Sequence, residues 1–116
     1  MLFNKVLIEQ FAEEYASFYL YDESRILQQM QDLQTHFPMV HFLYSVKCNP
    51  HHDVVKCIFA NGFGADAASV GEVRLARACG VGGEDIYYSA PGKSLADIRE
   101  AIRTAVLVAD SLDEIR

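Results

Sequence analysis

The chain has 116 residues, of which 51% are apolar and 22% are charged, and its formal net charge at neutral pH is −6. This amount of apolar material can build one modest core, so we expect a single domain or part of one. An acidic surface attracts neither nucleic acid nor an anionic membrane, and we therefore expect a small molecule as the partner.

The N-terminal region, residues 1–22, is predicted to form a short helix and one strand. Apolar residues recur at helical spacing over residues 4–15 with glutamates between them, and the aromatic run at residues 18–21 is typical of a strand. The glutamates interrupt the stretch where a secretory signal would be apolar, and no later apolar run is long enough to span a membrane. We therefore predict a cytoplasmic protein.

Residues 23–116 alternate between helical and strand patterns. Asp22 is placed to cap a helix over residues 23–36, which Pro38 ends. Nearly continuous apolar runs then predict four strands that are buried on both faces, each followed by the start of a helix. These strands are expected at residues 40–46, 63–67, 86–89 and 105–109.

Capping residues mark the ends of the helices between these strands. Asn49-Pro50 is expected to begin the helix after the first strand. Ser69, Ser94 and Ser111 each stand three residues before an acidic residue, a pattern that satisfies the first free amides of a helix. Two glycines are placed to end preceding helices, Gly62 and Gly80.

The alternation of strands and helices predicts right-handed βαβ units in a parallel sheet, either in a doubly wound fold or in a (β/α)8 TIM barrel. A doubly wound fold that binds dinucleotides would carry G-x-G-x-x-G after its first strand, whereas Lys47-Cys48-Asn49-Pro50 stands there. The pattern therefore favours the barrel. Because it stops after a fourth strand, we interpret residues 23–116 as the truncated first half of such a barrel.

Polar side chains stand at the predicted C-terminal ends of the strands, where parallel α/β folds carry their reactive groups. Lys47 ends the first strand and Asp66 lies near the end of the second. An ammonium at the end of an apolar strand is expected to be poorly hydrated, which favours the neutral amine that Schiff-base formation requires. Spacing alone favours the alternative, a lysine that extends into solvent.

Three motifs resemble those of one enzyme family. Tyr44-Ser45-Val46-Lys47-Cys48-Asn49 is similar to the Y-A-V-K-A/C-N motif of the fold-type III pyridoxal-phosphate decarboxylases, the group that includes ornithine, arginine and diaminopimelate decarboxylases. Residues 64–72 resemble the family's G-x-D-x-x-S-x-G-E segment, and residues 90–94 resemble its P-G-K-S turn. Residues 18–22 look like the strand that precedes the family's barrel, which is also the alanine racemase barrel. Several motifs in family order form a specific signal.

The resemblance implies that the chain binds pyridoxal 5'-phosphate and that Lys47 forms the Schiff base with it. It also implies that Asp66 lies beside the cofactor and interacts with Lys47, and that Ser45, on the same strand face, lines the cofactor pocket. Glu72 resembles a family carboxylate near the lysine. On the residues alone, Asp66 and Glu72 could instead cap the next turn and helix, and Ser45 could fill a tight barrel layer.

By the same resemblance the complete enzyme would decarboxylate a basic or diamino amino acid of the ornithine or diaminopimelate type. This chain would be an incomplete N-terminal part, inactive alone, that forms a homodimer or associates with the remainder of the fold. Two alternatives stay open, an amino-acid racemase relative and a truncated interaction module without catalysis. The K-A-N-A-Y-G-H run expected of alanine racemases is absent after residue 46.

Other reactive side chains carry less weight. Cys48, His51, His52 and Cys57 match no common zinc spacing, so no metal is expected. Lys93 is expected to be a solvated loop lysine, with the approach of an anion as the alternative. The chain's three cysteines cannot all pair with one another and stand in apolar or helical surroundings, which predicts a reducing compartment.

Overall fold

The computed structural model describes residues 4–116, so residues 1–3 of the expected N-terminal region lie outside the described residues. A parallel sheet and the helices that connect its strands make up most of this part of the chain. The elements in order are α1 (Lys5–Glu14), α2 (Glu23–His36), β1 (Leu43–Ser45), α3 (His52–Ala60), β2 (Gly64–Ala67), α4 (Val70–Ala78), β3 (Ile86–Ser89), α5 (Leu95–Ala101) and β4 (Val106–Val108). Short 3-10 turns lie at Val46–Cys48, Gly83–Asp85 and Leu112–Glu114.

The strand order separates a barrel from a doubly wound sheet. The four strands are all parallel and lie in sequence order, β1-β2-β3-β4. Because crossovers between parallel strands are almost always right-handed, this order places every connecting helix on the same face of the sheet. The helices also contact one another in series, α2 with α3, α3 with α4 and α4 with α5. This is the arrangement of a (β/α)8 barrel, as the sequence predicted.

The core lies between the sheet and the layer of helices. Buried and partly buried residues alternate along the strands. Ala65 and Ala67 of β2 and Ile86 of β3 are fully buried, whereas Asp66 and Tyr87 are only partly buried. From the helices, Val55 and Ala76 are also fully buried. The prediction that both faces of the strands are buried is therefore wrong for this structure, since the described residues cover only the helix side of the sheet.

Most of the predicted caps are confirmed. The Asp22 side chain accepts from the backbone amide of Arg25, and Ser69 accepts from that of Glu72. At Ser94 both hydrogen bonds of a capping box are present, because Asp97 also accepts from the serine's amide. Ser111 precedes only a 3-10 turn and makes no capping bond with its side chain. The two predicted C-cap glycines, Gly62 and Gly80, both have a φ of +90°.

The segment around the first strand differs from its prediction. Residues 18–21 are not a strand, because no other strand lies beside them in the described chain. β1 is shorter than expected, since the chain turns at Val46 once its pairing with β2 ends. The next helix begins at His52 and not after Asn49, whose side chain accepts from the amide of His51 at 3.1 Å.

The N-terminal helix α1 stands apart from the core. None of its residues is buried, and it is joined to α2 by an exposed stretch in which Tyr19 is 89% exposed. Within residues 4–116 no helix combines the length and the apolar character needed to cross a bilayer.

Candidate functional site

Lys47 lies in the 3-10 turn that follows β1 directly. Val46 anchors this turn because it is fully buried, and the Tyr44 hydroxyl donates a hydrogen bond to the carbonyl of Asn49 at 3.2 Å. Burial raises the pKa of Tyr44, so its phenol remains protonated and able to donate. The backbone that carries Lys47 is therefore fixed on both sides of the lysine.

The Lys47 side chain is exposed, and in the part of the chain that the structure describes it makes no hydrogen bond and no ion pair. The expectation of a poorly hydrated ammonium is wrong for this structure, in which the lysine extends into solvent as the alternative from spacing predicted. The physical reason is that the described helices cover one side of the sheet only, so its other side is open to water. The exposed amine is consequently accessible to a small aldehyde.

Ser45, Asp66 and Tyr87 form a row across the uncovered face of the sheet. The register pairs Ser45 with Asp66 on β2, and Asp66 with Tyr87 on β3. All three are partly buried, and their strand neighbours point toward the helices. Since Lys47 follows Ser45 by two residues, the structure brings the predicted serine and aspartate to the strand end that carries the lysine.

Asp66 does not form the expected contact with Lys47. Between residues 4 and 116 no ion pair or hydrogen bond joins the two side chains. The reason is local, because Asp66 lies within the paired part of β2 whereas Lys47 lies in the turn beyond the end of β1. A role of Asp66 beside the cofactor stays a prediction.

Glu72 serves as a cap in this structure. Its carboxylate oxygen Oε2 accepts from the backbone amide of Ala68 at 2.7 Å, and its own amide donates to the hydroxyl of Ser69 at 3.2 Å. These bonds fix the connection between β2 and α4, directly after the strand that carries Asp66. A contact of Glu72 with the cofactor, which the resemblance implied, stays a prediction.

Lys93 is not the solvated loop lysine that the sequence predicted. Only 1% of its side chain is exposed, and its Nζ atom donates to the Ala90 carbonyl at 2.7 Å and to Glu114 Oε2 at 2.8 Å. This hydrogen bond from Lys93 is the main cause that lowers the pKa of Glu114. The hydrogen bond between Lys93 and Glu114 thus links the P-G-K-S turn to the segment after β4.

Two features of this edge were missed by the sequence predictions. Tyr87 lies in a continuous apolar run, and alternation with the buried Ile86 and Tyr88 could have assigned it to the uncovered face. Its place beside Asp66 depends on the strand register, which no local pattern gives. The partner of Lys93 stands 21 residues away in the chain, and no short motif links the two residues.

Comparison with known families gives a match over most of the chain. Residues 23–116 match the family described as "Pyridoxal-dependent decarboxylase, pyridoxal binding domain". Among curated proteins, the chain is 37% identical to ornithine decarboxylase of Leishmania donovani over 72% of this chain and 12% of that protein. It is 33% identical to diaminopimelate decarboxylase of Deinococcus radiodurans over 84% of this chain and 26% of that protein.

Comparison with solved structures also finds decarboxylases. The lysine/ornithine decarboxylase of Vibrio vulnificus, in complex with putrescine, superposes with a TM-score of 0.82 at 35% sequence identity. The match covers 94% of this chain and 31% of the Vibrio chain. This chain therefore spans less than a third of the lengths of these relatives.

Proposed function

Because this chain belongs to the pyridoxal-dependent decarboxylase family, in its pyridoxal-binding domain, we propose that it supplies the lysine that binds the cofactor in an amino-acid decarboxylase. The observation that supports this proposal is the position of Lys47. Its exposed amine stands on a fixed turn at the carboxyl edge of a parallel sheet, where such folds carry their reactive groups. Since the chain spans less than a third of its relatives, the decarboxylation itself is proposed for a protein that also contains the rest of the fold.

The residues of this edge fit the aldehyde end of pyridoxal 5'-phosphate. An aldehyde requires an accessible primary amine. Lys47 is exposed, and within residues 4–116 its side chain makes no hydrogen bond and no ion pair. Asp66 and Ser45 add a carboxylate and a hydroxyl on the same face of the sheet. When bound, the cofactor supplies an electron sink for the electron pair that the departing carboxylate leaves behind.

Each residue of the site has a proposed part in this chemistry. Lys47 would hold the cofactor covalently through its amine and would thereby fix it at the end of β1. The carboxylate of Asp66 would favour the protonated form of a cofactor nitrogen that lies close to it. Ser45 offers a hydroxyl that can donate or accept one hydrogen bond to the cofactor. Glu72 keeps the start of α4 in place through its bond with Ala68.

The proposed substrate is a basic or diamino amino acid. The relatives named above are named for ornithine, lysine or diaminopimelate, and the Vibrio structure contains putrescine, a diamine. The Lys47-Cys48-Asn49 motif leans toward the ornithine type and the P-G-K-S turn toward the diaminopimelate type. Activity measurements with ornithine and with diaminopimelate, on a protein that contains the whole fold, distinguish the two types.

The proposal predicts a visible absorbance band when the chain is titrated with pyridoxal 5'-phosphate, since conjugation of the cofactor with an amine shifts its absorbance. Lys47→Ala should abolish the band. Lys56→Ala is the matched control, because Lys56 is exposed on α3, away from this edge, and its removal should leave the band unchanged. A band of equal strength in Lys47→Ala would refute the assignment.

We also propose that the chain self-associates as a homodimer or associates with the remaining strands of a full barrel. In the described residues, β1 and β4 each have one side without a partner strand, and one face of the sheet is uncovered. Unpaired strand edges favour association with another chain.

A further inference from the structure

Lys93 and Glu114 form a buried ion pair at the carboxyl edge of the sheet. Lys93 lies in the loop between β3 and α5, and Glu114 ends the 3-10 turn after β4. Their side chains are only 1% and 12% exposed, in contrast to the other acid–base pairs between Lys or Arg and a carboxylate in residues 4–116, which lie at the surface. This pair is thus set apart by its burial.

The hydrogen bonds of the pair join two loops. Besides the ammonium of Lys93, Glu114 Oε2 accepts the backbone amide of Asp110 at 3.1 Å. The ammonium in turn donates to the carbonyl of Ala90 at the end of β3. The exits of β3 and β4 are therefore linked through two side chains.

The pair lies on the helix side of the sheet. Lys93 Nζ is 5.7 Å from the centre of the Tyr88 ring, and Tyr88 is a core residue that is 4% exposed. Lys47, in contrast, is exposed. Two lysines thus follow strands of the same sheet, and only one of them is accessible from solvent.

We propose that Glu114 sequesters Lys93 from aldehydes, so that Lys47 is the lysine that reacts at this edge; the importance of this selection rests on the function proposed above. An amine forms an imine by attack of its nitrogen lone pair on the aldehyde carbon, and the aldehyde oxygen leaves as water. A buried ammonium whose hydrogens are donated to a carboxylate and a carbonyl is shielded from solvent and does not present its nitrogen to an aldehyde. Glu114 is therefore a specificity-determining residue that does not itself touch the cofactor.

Reductive methylation of the folded chain tests this selection without a cofactor site. Each free amine condenses with formaldehyde, water leaves, and a borohydride reductant delivers hydride to give the methylated amine. Mass spectrometry of peptides then gives a rate for each lysine. In the wild-type chain we expect Lys93 to react at least about tenfold more slowly than Lys56, because hydrogen bonds to charged groups are among the stronger ones in proteins.

Glu114→Gln removes the negative charge and should raise the rate of Lys93 several-fold toward that of Lys56. Glu100→Gln is the matched control, since it breaks a similarly short ion pair with Arg74, at 2.6 Å, on the surface of α4 and α5. This control should leave the rate of Lys93 unchanged. Circular dichroism checks that each variant is folded. If Glu114→Gln does not fold, Glu114→Met, with an apolar side chain of similar length, takes its place.

Two results would overturn the inference. One is a wild-type Lys93 that reacts as fast as Lys56, and the other is a folded Glu114 variant in which Lys93 stays as slow as in the wild type. The wild-type chain in urea provides the upper limit, because unfolding should bring Lys93 to the rate of Lys56. Formaldehyde needs no cofactor site, so this outcome is independent of the titration of Lys47 with pyridoxal 5'-phosphate.

Discussion

Lys47 and Lys93 both follow a strand of one parallel sheet, yet their surroundings give them opposite properties. Lys93 is buried and shares a hydrogen bond with Glu114, whereas Lys47 is exposed on a turn held by Tyr44. The presence of a lysine after a strand therefore does not by itself identify the reactive amine. What distinguishes Lys47 is an accessible side chain on a fixed backbone.

The paired carboxyl groups predict how stability depends on pH. Hydrogen bonds from Lys93, Arg74 and Ser94 are the main causes that lower the pKa of Glu114, Glu100 and Asp97 respectively, below ordinary values of 4.5 for Glu and 3.8 for Asp. A carboxyl whose folded pKa is lowered contributes stability above its unfolded pKa and loses it as the pH falls through the folded pKa. Stability should therefore decline below these ordinary values.

Urea unfolding at a series of pH values from neutral down through the carboxyl range measures this effect. The midpoint should fall as the medium is acidified, and it should fall less steeply in Glu114→Gln, which has one fewer paired carboxylate. A midpoint that is constant or rises on acidification would contradict the assignment of these ion pairs and of the Ser94 cap.

Residue-level predictions from the sequence succeeded where both partners stand in one short segment. The capping bond of Ser69 with Glu72 spans three residues, and the pattern that predicts it is local. The partner of Lys93 was missed because the pair joins two loops that only the folded sheet brings together. The hydration of Lys47 was also mispredicted, since it depends on what covers the sheet and not on the apolar strand that precedes the lysine.

Among the elements, the start of β2 is closely packed against its neighbours. A β-carbon added at Gly64 would lie 2.5 Å from the carbonyl oxygen of Asp85 and 2.6 Å from the Leu43 side chain. Gly64 also donates its amide to the Phe42 carbonyl at 2.9 Å, so β1 and β2 cannot separate without loss of this bond. A glycine is therefore required for β1, β2 and the turn before β3 to meet.

Gly64→Ala should destabilise the chain by about 1–3 kcal/mol, the usual cost of overpacking a core. Gly71→Ala on α4 is the control, because its β-carbon would come no closer than 3.7 Å to another group, the Ser69 hydroxyl. That change should instead stabilise the helix by about 0.5–1 kcal/mol. Urea unfolding of the two variants gives both values, and equal stabilities would show that β2 does not pack as described.

The elements that the sequence predicted best are those with both a helical periodicity of apolar residues and a capping residue at one end. The helix α2 begins and ends at the predicted residues 23 and 36, because Asp22 caps its start. The first strand was overestimated, since residues 40–42 belong to a mostly apolar run but precede Leu43, the first residue that pairs with β2. The aromatic run at residues 18–21 failed for the same reason, as strand formation requires a neighbouring strand.

At the scale of the whole molecule, the described chain is extended. Its radius of gyration is 17.3 Å, whereas a compact domain of this length would have about 13 Å. The N-terminal helix contributes to this difference because none of its residues is buried. The face of the sheet opposite the helix layer is also uncovered. Apolar surface is therefore exposed in two places, on the N-terminal helix and on this face of the sheet.

This architecture predicts self-association, which would cover strand edges that are unpaired in the described residues. Sedimentation equilibrium over a wide range of concentrations should give an average mass above that of the monomer, and the mass should rise with concentration. A monomer at every concentration, with the edge strands protected from hydrogen exchange, would contradict the prediction.

The central claim is that Lys47 is the amine that binds the cofactor. Its most direct test is to mix the unmodified chain with pyridoxal 5'-phosphate, reduce the adduct with borohydride, and locate the added mass on peptides. The account predicts an adduct on Lys47 in clear excess over Lys5 and Lys56, which are also exposed. An adduct spread evenly over the exposed lysines, or absent from Lys47, would contradict it.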